Sequence, residues 1–125
     1  MKQIPSGLRT TFLFHGIVGL VFGLIYLFVP AQFGKMVNWP MPDVSAYRLV
    51  GAAILAFTAS SWLAYREKVW DRVEIVVVLE IVWTGLATLV MLWAVLFAGM
   101  PAIGWLNAVL MAAFAVAFGY FYSRR

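Results

Sequence analysis

Residues 73–98 read VEIVVVLEIVWTGLATLVMLWAVLFA, an apolar run in which Glu74 and Glu80 are the only charged residues. A helix needs about 20 residues, at about 1.5 Å each, to cross the hydrocarbon core of a membrane. A lone strand in lipid would leave its backbone N–H and C=O groups unpaired, and residues 75–79 lack the alternation of a membrane barrel. The stretch therefore predicts a transmembrane helix.

Three further stretches of this kind predict transmembrane helices at about 10–29, 47–65 and 101–122. Pro30 closes the first of them, and Pro101 is tolerated in the first turn of the last. The predicted fold class is all-α, an integral membrane four-helix bundle that forms a single transmembrane domain over residues 1–125. Residues 30–46, the longest connection, are expected to be a loop.

The composition supports a membrane location and excludes several functions. Of the 125 residues, 65% are apolar, and most of the 9 basic and 5 acidic residues flank the apolar stretches. Because no basic face is present to neutralise phosphates, we predict no nucleic-acid partner despite the net charge of +4. The absence of cysteine excludes disulfides and thiolate ligation. We predict no metal site and no cofactor.

The basic residues also predict how the bundle is oriented in the membrane. Cytoplasmic loops carry an excess of lysine and arginine, so the side with more of them is expected inside. Only Lys35 and Arg48 lie on the side opposite the termini. The termini side has seven basic residues: Lys2, Arg9, Arg66, Lys68, Arg72, Arg124 and Arg125. The sequence therefore predicts an N-in/C-in protein of the cell membrane, in bacterial terms the inner membrane.

Small residues at helical spacing indicate where the helices pack, because close backbone approach drives helix association in lipid. We interpret these faces as packing within the bundle rather than as a dimer interface. The predicted packing residues are Gly16, Gly19 and Gly23 on the first helix, Ala52 and Ala56 on the second, and Ala112 on the fourth.

Polar residues inside the apolar stretches are the candidates for function, because they are costly in a membrane. Glu80 and His15 enter their helices from the same side, at depths that agree within roughly 3 Å by helical rise. We therefore predict that they form one polar layer, completed by Ser60 and Ser61. Arg48 and Asn107 are further candidates for ligand binding or proton coupling, because both enter from the opposite side, where one interpretation has Arg48 cap a cavity opened by Asn107. Each also has a structural interpretation: a buried, hydrogen-bonded Glu80 and His15, and an Arg48 that reaches the headgroups.

A family resemblance follows from the first two helices. The Gly16, Gly19 and Gly23 face, the closing residues Phe28-Val29-Pro30 and the opening residues 48–53 (RLVGAA) resemble those of the DoxX-like bacterial four-helix membrane proteins. That resemblance implies the fold, and the group includes a subunit associated with thiosulfate:quinone oxidoreduction. The chain is also similar to small multidrug transporters in length and in having one membrane glutamate, but theirs lies on the first helix and Glu80 on the third.

Two functions are consistent with these observations. The first is a non-catalytic accessory or structural subunit of a larger membrane complex, whose partners are membrane lipids and other membrane subunits. The second is a small proton-coupled transporter, or a lipid- or quinone-binding protein, that uses Glu80. Because the chain has a single histidine, no cysteine and no paired carboxylates, we do not predict an enzyme.

Overall fold

The computed structural model describes residues 2–125, and within them the chain is all-α. Its helices are α1 (Ser6–Phe28), α2 (Pro30–Met36), α3 (Val44–Arg66), α4 (Glu74–Phe97) and α5 (Ile103–Ser123), with one 3₁₀ turn at Trp70–Arg72. Four of them, all except α2, are long and apolar enough to cross a membrane. The predicted fold class is confirmed in its helical content and its four membrane helices. The chain is thus a small multi-pass integral membrane protein.

The first helix begins at Ser6 rather than at about residue 10. The polar residues at its start are compatible with a helix because their hydroxyls donate hydrogen bonds to backbone carbonyls of the same helix. Thr10 donates to the carbonyl of Ser6 at 3.1 Å, and Thr11 donates to that of Gly7 at 2.9 Å. The other long helices begin and end within three residues of the predicted positions.

The segment expected to be a loop, residues 30–46, contains α2, so that expectation is wrong in its first half. Pro30 ends the hydrogen bonding of α1, but its ring suits the first position of a new helix. The new helix ends where Asn38 adopts a left-handed conformation, with φ 57°. The Trp39 N–H then donates to the Gly34 carbonyl at 2.8 Å, which satisfies an otherwise unpaired carbonyl at the helix end.

The four long helices pack as two pairs. α1 lies along α3, and α4 lies along α5, whereas the two pairs meet each other over much smaller surfaces. The α1–α3 pair is close because the three glycines of α1 lie against α3. A Cβ atom added to Gly16, Gly19 or Gly23 would come within 3.0 Å of an α3 side chain. Those three glycines are also buried.

On α3 the predicted packing residues are wrong. Ala52 and Ala56 lie on the exposed side of the helix, and the buried positions are Gly51, Thr58, Ser61 and Ala64. The reason is that the backbone of α1 lies against Gly51: a Cβ on Gly51 would lie 2.6 Å from the backbone nitrogen of Leu27. With Gly51 in this contact, Ala52 and Ala56 face outward. Ala112 on α5 is half-buried.

One end of the bundle, which holds both termini and the α3–α4 connection, is tightly packed; we call it the terminal end. There the chain before α1 pairs with the α3–α4 connection: the Ile4 N–H donates to the Lys68 carbonyl at 3.0 Å, and the Trp70 N–H to that of Lys2 at 2.9 Å. A continuous apolar core lies beneath these bonds and consists of Ile4, Leu8, Phe12, Ala64, Trp70, Val73, Val77, Phe114 and Phe118. This core closes the terminal end.

Candidate functional site: a buried polar triad beneath a cavity

His15, Ser61 and Glu80 meet next to the apolar core, one from each of α1, α3 and α4. His15 Nδ1 lies 2.8 Å from Ser61 Oγ, and Ser61 Oγ donates to Glu80 Oε1 at 3.1 Å. His15 Nε2 lies 3.0 Å from Glu80 Oε2, which closes the ring. Glu80 and Ser61 are fully buried, and His15 is 3% exposed. The predicted polar layer of these residues is therefore present; we call it the triad.

Distance and alignment disagree for the contact between His15 and Glu80. The 3.0 Å separation of Nε2 and Oε2 is short enough for an ion pair. No donor, however, is aligned with Oε2 for a hydrogen bond, and this oxygen is buried. The alignment matters more than the distance, because a hydrogen bond weakens steeply as its donor angle departs from linearity. Oε2 is thus in contact with the imidazole without a well-formed hydrogen bond from it.

α5 completes the surroundings of the triad with aromatic rings. Phe114 and Phe118 meet the His15 ring edge-on, with centroids 4.9 Å and 5.8 Å away. Edge-to-face contacts of this kind fix the orientation of a ring. Since α5 contributes only apolar groups here, the polar atoms of the triad have to satisfy one another.

The threonines that follow Glu80 on the same side of α4 do not extend the triad. Thr84 donates its hydroxyl to the carbonyl of Glu80 at 2.6 Å, and Thr88 donates to that of Thr84 at 2.7 Å. Each threonine hydroxyl is therefore engaged by the backbone of its own helix. The carboxylate of Glu80 receives nothing from them.

A cavity of about 240 Å³ lies between the two helix pairs, on the side of the triad away from the terminal end. His15 forms its floor. The walls are apolar and aromatic, and one of them is a stacked pair, Phe57 and Trp83, with centroids 5.1 Å apart and ring planes 7° apart. The other wall residues include Val18, Phe22, Ile54, Ala87, Met91 and Met111.

Aromatic rings also surround the far end of the cavity. Trp39, in the connection after α2, packs against Tyr47 at 5.4 Å and against Tyr26 at 6.4 Å between centroids. Phe33 of α2 lies 5.8 Å from Tyr26. The α2 segment thus holds a ring of aromatic side chains over the end of the bundle that the apolar core does not close.

The remaining sequence candidates separate into two cases. Asn107 lines the far end of the cavity, beside Tyr26. Arg48 is exposed at the start of α3, and the cavity is bounded at that level by its neighbour Tyr47. The expectation that Arg48 caps the cavity is therefore wrong, because Tyr47 faces inward when Gly51 lies against α1.

Sequence reasoning missed most of the cavity lining. Trp39 and Tyr47 are typical of residues at a membrane interface, and Tyr26, Phe57 and Trp83 carry no signal that distinguishes a cavity wall from a lipid-facing ring. One weak indication exists: Tyr26 follows Gly19 and Gly23 on the buried face of α1 at a spacing of three or four residues.

No protein-family model matches the chain, and neither does a curated protein or a solved structure. The resemblance to DoxX-like proteins stays a prediction that rests on the residues quoted above.

Proposed function

We propose that this membrane protein is non-catalytic and binds a hydrophobic, membrane-soluble molecule in its central cavity. The observation that carries the proposal is the cavity itself, which receives side chains from all four membrane helices and has almost entirely apolar walls. Binding sites for small molecules have this character: mainly apolar and aromatic walls with a few polar groups that fix orientation. Here the polar groups are at the two ends, His15 at the floor and Tyr26 with Asn107 at the far end.

The size of the cavity limits the ligand. An apolar cavity of about 150 Å³ stays dry and takes up benzene. At about 240 Å³ this cavity has room for a substituted ring or for a stretch of an alkyl chain. The flat Phe57–Trp83 pair favours a ligand with a planar ring, because offset stacking of rings adds to the burial of apolar area. Quinones and lipids with ring-bearing heads belong to this class.

The test uses a variant that fills the cavity and a matched variant that does not. Ala87→Phe places a ring in the cavity wall of α4, whereas Ala113→Phe places the same ring on the exposed side of α5. Both variants and the wild type are purified in mild detergent, and circular dichroism checks that each is helical. Organic extracts are then examined by mass spectrometry. We expect an equimolar hydrophobic molecule with the wild type and Ala113→Phe, and much less with Ala87→Phe.

Rebinding gives a second readout after the extracted protein is returned to detergent. The probe is oxidised decyl-benzoquinone, which quenches tryptophan on contact, and Trp39 and Trp83 line the cavity. Saturable quenching in the wild type and Ala113→Phe, with its loss in Ala87→Phe, supports the proposal. Quenching that rises linearly and equally in all three proteins would reflect partition into the micelle and would contradict it.

The accessory-subunit hypothesis has its own supporting observation, the outward-facing small residues of α3. Ala52 and Ala56 are exposed within the single chain. Small residues on a lipid-exposed face allow another helix to approach closely. If a partner subunit packs there, Ala52→Leu with Ala56→Leu should abolish its copurification while leaving the thermal stability of the chain unchanged. A chain that purifies alone in mild detergent, with or without the substitutions, would count against this role.

A further inference from the structure

We infer that the triad of His15, Ser61 and Glu80 is an uncharged ring, the shared-proton ring, with one proton between His15 Nε2 and Glu80 Oε2, and that loss of this proton weakens ligand binding in the cavity above it. The first half of the inference stands on the geometry of the triad alone. The second half rests on the proposed function. Both halves depend on how many protons the groups of the triad can donate, since a hydroxyl has one proton to donate and a carboxylate oxygen has none.

The protons available to Glu80 are few. Ser61 donates its only hydroxyl proton to Oε1 at 3.1 Å. Ser60 lies 3.4 Å from the same oxygen but is closer, at 2.7 Å, to the carbonyl of Phe57, which therefore takes its proton. The hydroxyl of Thr84 donates to the backbone of α4. The side-chain oxygen Oε2 thus receives no proton from any hydroxyl around it.

The state of His15 follows from that of Ser61. Because the Ser61 proton is directed to Glu80, the 2.8 Å contact between Ser61 Oγ and His15 Nδ1 requires a proton on Nδ1. A neutral imidazole with its proton on Nδ1 leaves Nε2 as an acceptor. Nε2 and Oε2 would then be two bare acceptors only 3.0 Å apart, which repel each other. One additional proton must lie on one of these two atoms.

The surroundings place that proton on Glu80. An imidazolium–carboxylate pair removed from water is favourable only when its geometry is good and its hydrogen bonds are complete. Here Oε2 has no aligned donor, and α5 offers only Phe114 and Phe118. Among residues 2–125, no other charged or titratable side chain forms a hydrogen bond or an ion pair with His15 or Glu80. The pair is accordingly a neutral imidazole and a carboxylic acid.

Loss of the proton changes the cavity floor. Glu80 would become an anion with one hydrogen bond, from Ser61, directly behind the His15 ring that lines the cavity. A buried anion without sufficient donors attracts water, and that water competes with a hydrophobic ligand for the floor. The ligand therefore binds more tightly when Glu80 is protonated. By linkage, ligand binding to the protein with ionised Glu80 is accompanied by uptake of a proton.

Infrared spectroscopy tests the first half without any ligand. Glu80 is the only fully buried acidic residue among residues 2–125. At neutral pH we expect the C=O stretch of a protonated carboxylic acid, which shifts slowly on transfer to heavy water and is absent in Glu80→Gln. A spectrum without that band in the wild type would mean a charged pair and would overturn the shared-proton ring. Because the band is measured in the wild type, the test does not depend on the folding of a variant.

Binding as a function of pH tests the second half. The probe is again oxidised decyl-benzoquinone, which has no titratable proton of its own. We expect wild-type affinity to fall about tenfold or more as the pH is raised through the loss of the carboxylic-acid band, whereas the affinity of Glu80→Gln does not change with pH. Equal pH dependence in both proteins would overturn the coupling.

The two measurements also separate the inference from the proposed function. If the acid band is present but the probe binds at no pH, the proposed function fails and the shared-proton ring stands. If the probe binds saturably but the acid band is absent, the ring fails and the proposed function stands.

Discussion

Replacing Gly51 by alanine should weaken the bundle, because the backbone of α1 lies directly against this residue of α3. The added Cβ would lie 2.6 Å from the backbone nitrogen of Leu27 and 2.9 Å from the carbonyl oxygen of Gly23. Ordinary van der Waals contact begins at 3.4 Å, so the helices must separate by close to 1 Å. Overpacking of this kind costs about 1–3 kcal/mol, and backbone atoms cannot rotate away. We expect a cost near the upper limit, about 3 kcal/mol.

Alanine also favours helix over glycine by about 1 kcal/mol, so the expected net loss is about 2 kcal/mol. For a chain of this size that corresponds to a fall in melting temperature of about 8 °C. Unfolding in mixed micelles with rising dodecyl sulfate, followed by circular dichroism, measures the free energy. The control is Gly85→Ala in the middle of α4, where an added Cβ has nothing within 4 Å. Equal stability of Gly51→Ala and Gly85→Ala would show that the close helix approach does not exist.

Three further predictions concern the triad, the packing face and the orientation. Glu80→Leu should cost at least about 2 kcal/mol more than Glu80→Gln, because leucine leaves the Ser61 hydroxyl proton and His15 Nε2 without a partner while glutamine can bond to both; equal losses in chemical denaturation would mean that the triad does not contribute to stability. Gly19→Leu should lower the melting temperature in detergent, since its Cβ would overlap the hydroxyl of Thr58, and an unchanged value would mean that this face meets lipid. A cytoplasm-specific reporter fused after Arg125 should be active, as the excess of basic residues on the termini side requires; activity of a periplasm-specific reporter there would reverse the orientation.

The four membrane helices and the level of the polar triad follow from the amino-acid pattern without any tertiary information. A membrane fixes the length of an apolar segment, and the lack of water forces its backbone into helix, so neither depends on tertiary contacts. Depth within a helix is equally local, because each residue adds about 1.5 Å of rise. That is why His15 and Glu80 are predicted at one level and are found 3.0 Å apart.

The direction in which each helix faces depends on contacts between the helices. In a helix whose residues are nearly all apolar, hydrophobicity does not separate the buried side from the lipid side. On α3 both the Gly51 stripe and the Ala52–Ala56 stripe have small residues, and the contact of Gly51 with the backbone of Leu27 selects the first. The cavity also depends on contacts between the helices. Its volume is the space left between the two helix pairs, and no local stretch of sequence specifies that volume.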